Sequence, residues 1–148
     1  MSDEIRVTTG NFKYAGFWIR LLALLIDSLI VSLLMLLFFG SQIGVLYSGD
    51  PELIMVAMST TTPLLAIVPI VYYILFWTLL STTPGKMILK LKIVNYEGNK
   101  ISFGQSVLRY IGYMLSAIVL YIGFIWAAFD TKRQGWHDKI AKTYVVRK

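Results

Sequence analysis

The run FWIRLLALLIDSLIVSLLMLLFF, residues 17–39, decides more about this chain than any other stretch, because a fully apolar helix of that length is a membrane span and yet this one carries Arg20 and Asp27. At about 1.5 Å per residue it measures roughly 34 Å, against a hydrocarbon core of about 30 Å. Asp3 and Glu4 precede it and no small-x-small cleavage site follows, so it reads as a retained anchor, not a cleaved leader. A second block, about residues 62–80, carries no charge and contains Pro69, which predicts a span with a bend and an unpaired carbonyl near Leu65. A third runs from Phe103 to Phe129. Ser102 and Gln105 form a capping box at its start, and Gly123 marks where it could break and turn back.

Charge sets the expected topology. Residues 40–61 hold no lysine or arginine, 81–102 hold Lys86, Lys90, Lys92 and Lys100, and the tail holds Lys132, Arg133, Lys139, Lys142, Arg147 and Lys148. Basic segments stay in the cytoplasm. Three simple spans would separate the two basic segments, so an even number of crossings, or a half-membrane hairpin at 103–129, is expected, with both termini cytoplasmic and Asp50 and Glu52 outside. MILKLKIVNYEGNKIS reads as a β-hairpin turning at residues 97–99, and KTYVV as a strand that pairs with it, the alternative being a disordered basic extension. The expected fold is an all-α polytopic membrane protein: one domain over residues 1–148, two spanning helices, a third long or re-entrant segment, a cytoplasmic hairpin at about 86–102, and a C-terminal strand in the basic tail 130–148.

The composition, 57% hydrophobic and 15% charged, agrees with a multi-pass cell-membrane protein. The net charge of +6 lies beside apolar spans, which favours anionic lipid headgroups over nucleic acid as the counter-charge. The chain has no cysteine, so disulfides, thiolate metal sites and thiol nucleophiles are excluded. At 148 residues it is too short to surround an aqueous pathway alone, and a homo-oligomer is expected.

Arg20 lies about one turn into the first span, where its stem can reach the interface. Asp27 lies about 15 Å in, near mid-membrane, where insertion costs roughly 2.5 to 3.5 kcal/mol. The two are seven residues apart and share a face with Ala23, Ser28 and Val31, which therefore faces protein. The rise between them, on the order of 10 Å, argues against direct pairing; Arg109, the other basic residue at comparable depth, is the expected partner of Asp27, the alternative being a protonated Asp27. His137 is the lone histidine and has no second ligand at zinc spacing, so no metal is expected, and Gly112 with Ser116 reads as a packing face. No phosphate loop, nucleophile–base set or paired catalytic carboxylates stands out, so neither an enzyme nor a cofactor is expected.

YAGFWIRLLALLID, TPGKMILKLKIVNYEGNKIS, the arginine of VLRY and FDTKRQGWHDKIAKTYVV occur in that order. Together they resemble the RDD family, from Tyr14 onward. The resemblance places the family arginine on Arg20, its first aspartate on Asp27 and its second on Asp138, with Asp130 as a competing match. It implies a bacterial or archaeal integral membrane protein; a part in transport is suggested for the family, and cation/proton antiport for some members. Two functions follow as expectations. One is exchange of a monovalent cation for protons at Asp27, with Arg20, Asp138 and Arg109 as supporting site residues. The other is a non-transporting scaffold or accessory subunit in which Arg20, Asp27, Arg109 and Asp138 form a structural network.

Overall fold

The computed structural model describes residues 13–119 and 121–148; Asp3 and Glu4, and with them the N-terminal part of the topology reading, lie outside the described residues. Helix α1 covers Phe17–Phe39, matching the expected first span. A short α2, Ser41–Leu46, follows directly across Gly40. The second long helix, α3, runs over Pro51–Leu80 and so starts eleven residues before the expected Thr62. The reason is local: Asp50 Oδ1 accepts from the backbone N–H of Glu52 at 2.9 Å, Pro51 occupies the first helical position, and Glu52 sits at the positive helix end. Pro63 and Pro69 lie inside α3 without ending it. These two helices are long and apolar enough to cross a membrane.

Ser81, in the left-handed conformation, stops α3, and its carbonyl accepts from Ile93 N–H at 2.7 Å, which ties the helix end to the sheet. Thr83 then caps α4, Pro84–Ile88, and β1 follows at Leu91–Asn95. The expected hairpin does not form. Asn95 Oδ1 accepts from Glu97 N–H at 3.0 Å and Asn99 N–H at 2.8 Å, and Ser102 already caps the next helix, so no length is left for a returning strand. The tail strand β2, Thr143–Arg147, pairs antiparallel with β1 instead, with Ile93 opposite Val145. Tyr14 bridges to Val146 on the other edge of β2, and Ala15 N–H donates to the Val145 carbonyl at 2.9 Å, so the entry to α1 is held by the same strand.

Helix α5, Phe103–Ile118, starts with the expected capping box. Its sixteen residues measure roughly 24 Å, short of a crossing. It buries Ser106, Arg109, Gly112 and Ser116 and exposes Leu108, Ile111, Met114, Leu115 and Ile118, the reverse of a helix on a water-soluble protein. The chain then bends by 114° into α6, Ile122–Ile125, and a 3₁₀ turn, Trp126–Ala128. The break lies before Gly123, at Tyr121 with its positive φ of 60°. Gly123 has a packing role instead: a Cβ there would collide with Ser116 Oγ. After α7, Trp136–Ile140, Gln105 Nε2 donates to the Ala141 carbonyl at 3.1 Å, so the start of α5 and the end of α7 meet and the segment between them goes out and back.

The core joins the helices to the sheet. Trp77 is fully buried between Tyr73 and Tyr113, Arg109 lies over its ring at 5.1 Å, and Ala23, Tyr72, Leu91, Ile93 and Val145 pack around them. Outside, α1 exposes Trp18, Leu22, Leu25, Leu29, Leu33 and Leu36, an apolar surface suited to lipid.

A buried network of arginines, aspartates and a lysine

Asp27, Arg109 and Asp138 are all 0% exposed, and Arg20 lies close to them, half-buried. They form two clusters, not the single expected one.

The first surrounds Asp27. The hydroxyl of Tyr72 on α3 donates to Oδ1 at 3.0 Å, and Gly85 N–H on α4 donates to the same oxygen at 2.8 Å. Thr83 Oγ1 donates to Oδ2, and the Lys86 ammonium stands 3.9 Å from it. The expected pairing with Arg109 is therefore not made. Asp27 is served by the TPGK turn because α4 packs directly on α1, and glycine makes this possible: a Cβ at position 85 would strike the Ala23 carbonyl and stand 2.9 Å from the Asp27 carboxyl carbon. Of the small residues on the expected stripe, Ala23 and Val31 are buried with Asp27, whereas Ser28 is exposed.

The second surrounds Asp138. Arg109 Nη1 donates to Oδ1 at 2.6 Å, Arg20 Nη2 donates to Oδ2, and Gly135 N–H donates to Oδ2 at 3.0 Å. Arg109 also donates to Thr143 Oγ1, and Arg20 Nη1 to the Arg133 carbonyl. Asp138 thus holds α1, α5 and α7 together. Close approach of α5 and α7 depends on Gly112, where a Cβ would stand 2.8 Å from that of His137. Burial pushes the Asp138 carboxyl upward, but the guanidinium charges, Arg20 foremost, outweigh it and hold the group well below the usual carboxylate range. Asp130 lies apart from this cluster, pairs with Lys139 at 2.6 Å and braces the loop through Lys132 N–H and Gln134 N–H.

His137 belongs to the second cluster, its Nε2 3.5 Å from Asp138 Oδ1. Its Nε2 lies 3.3 Å from Arg20 Nη2, an arrangement in which the arginine donates and the imidazole accepts. Burial holds its pKa well below the ordinary histidine value, so it is neutral at pH 7. Among the described residues its Nδ1, and Nε and Nη2 of Arg109, are buried without a hydrogen-bond partner. A cavity of about 40 Å³ lies between the clusters, lined by Arg20, Lys86, His137, Tyr113, Phe124 and Leu24 among others. No group of three acidic, histidine or cysteine side chains suited to a metal occurs among the described residues.

Sequence reasoning missed Tyr72, Thr83, Gly85 and Lys86 as site residues. A signal was present in Thr83-Pro84-Gly85-Lys86, a capping residue and N1 proline opening a turn of helix right after a span, with a lysine too close to the apolar block to be only a topological charge.

No solved structure matches the chain. Among curated proteins it is 41% identical over 150 residues to "Uncharacterized protein YxaI" of Bacillus subtilis, covering 92% of this chain and 99% of that one. It is 34% identical over 137 residues to "Uncharacterized membrane protein YteJ" of the same organism, covering 90% and 80%. A "Proline-rich antigen homolog" of Mycobacterium tuberculosis matches at 38% over 68 residues, 45% of this chain and 28% of that protein. The RDD family profile matches residues 14–142, nearly the whole described chain with Asp27, Asp138 and their charged partners inside it, and the protein is a membrane protein that belongs to the RDD family.

Proposed function

We propose that this chain is a membrane-embedded scaffold or accessory subunit whose buried charges lock its helices in register. The observation that supports this most is the set of donors already on Asp27: Tyr72 and Gly85 donate to one oxygen and Thr83 to the other, with the Lys86 ammonium 3.9 Å from the latter. An ionised carboxyl offers about four acceptor sites, and a cation would have to displace donors already in place. We assign the family's second aspartate to Asp138, since Asp138 and not Asp130 meets Arg20. In the same reading the protein is a multi-pass, non-catalytic, homo-oligomeric protein of the cell membrane that meets anionic headgroups. Both termini and β1 are cytoplasmic, because the basic residues gather around the sheet while Asp50 and Glu52 lie at the far end of α3.

One observation favours cation/proton exchange at Asp27. The Lys86 contact, an ion pair at 3.9 Å, is the longest in that cluster, so the ammonium is the positive charge a monovalent cation could replace. Ion flux in proteoliposomes separates the readings. The scaffold predicts no sodium-, potassium- or lithium-driven proton movement between about pH 6 and 9. Flux in the wild type that Asp27→Asn abolishes in a folded protein would establish exchange instead.

A further inference from the structure

The Lys86 ammonium is buried, yet its nearest acceptors are Thr83 Oγ1 at 3.5 Å and Asp27 Oδ2 at 3.9 Å. A buried cation without a short hydrogen bond is costly. It lines the small cavity with Arg20 and with His137, whose Nδ1 has no partner among the described residues. Around that cavity the two clusters set three cations, Arg20, Lys86 and Arg109, against two carboxylates, Asp27 and Asp138, with His137 neutral. No acidic side chain among the described residues lines the cavity itself. The site thus has one positive charge in excess, a lysine whose acceptors stand no closer than 3.5 Å, and space for about one occupant of the size of a water molecule.

We propose that this cavity binds a single monoanionic group, held by Lys86 and Arg20 between the α1 and α6 faces. Its size admits a halide ion or one charged oxygen of an anionic lipid phosphate reaching in past Leu24 and Phe17. A cation is disfavoured there by the charge balance, so the inference stands whether or not Asp27 is structural.

The test uses the full chain in nanodiscs. In zwitterionic phosphatidylcholine discs, the melting temperature is followed as chloride replaces gluconate at constant ionic strength; in a second arm, gluconate is kept and phosphatidylglycerol replaces part of the phosphatidylcholine. A saturable rise with chloride, lost in Lys86→Gln, supports a halide site. A rise only with phosphatidylglycerol, lost in the same variant, supports a lipid oxygen. Should Lys86→Gln fail to fold, Leu24→Phe, which narrows the cavity and keeps every charge, is expected to weaken the response in the arm that shows it. A melting temperature unchanged by both anions, or a response equal in wild type and Leu24→Phe, means that water fills the cavity and overturns the proposal.

Discussion

Asp138→Asn is the perturbation with the largest expected effect. The wild-type carboxylate stands between Arg109, at 2.6 Å, and Arg20, with Gly135 N–H at 3.0 Å. Asparagine keeps the shape but has one acceptor oxygen for two guanidiniums, and its amide hydrogens must point at one of them. Arg109, with no exposed surface, would be left with the Thr143 hydroxyl and the face of Trp77. Stranding a buried charge costs about 3–5 kcal/mol, a large part of a typical total stability of roughly 5–15 kcal/mol. The measurement is equilibrium unfolding in mixed micelles, followed by near-ultraviolet circular dichroism of the Trp77–Tyr113 cluster. Arg109→Met in the Asp138→Asn background removes the stranded charge, so the double variant should be at least about 1 kcal/mol more stable than the sum of the single losses predicts. An Asp138→Asn protein within about 0.5 kcal/mol of wild type, or strict additivity in the cycle, would refute the network.

Acid should destabilise the protein in two stages. His137 is buried neutral with a lowered pKa, so below about pH 6.5 the unfolded chain takes up a proton that the folded one does not, and stability falls by up to about 1.4 kcal/mol per pH unit; His137→Gln should flatten this stage in a pH series of unfolding curves. Asp138 is lowered as well, so its contribution is complete above the unfolded value of about 3.9 and is lost as pH falls further, a stage that should persist in His137→Gln. Gly85→Ala should cost about 1–3 kcal/mol by pushing α4 off α1, measured by the same unfolding assay, whereas alanine at Gly44, where a Cβ meets nothing within 4 Å, should change little. The chain lacks cysteine, so single cysteines at positions 50, 99 and 148 allow clean labelling with an impermeant maleimide: positions 99 and 148 should label from one side of the membrane and position 50 from the other.

Composition and pattern were enough to place α1 to the residue, since an apolar run with glycines at both ends leaves few alternatives, and the Ser102–Gln105 box located the start of α5. The burial of Asp27 and the pairing of the tail strand with the 91–95 segment were also legible, the first from helical periodicity and the second from β-branched composition. What lay beyond local pattern was the choice of partners. Periodicity says which face of a helix is covered, not by what, and the donors to Asp27 lie 45 to 58 residues away in sequence. They reach it because a glycine lets α4 settle on α1. Arg109 was expected there from depth alone, but the out-and-back path after α5 brings Asp138 to it first, and a guanidinium already bonded to one buried carboxylate has no reason to seek another.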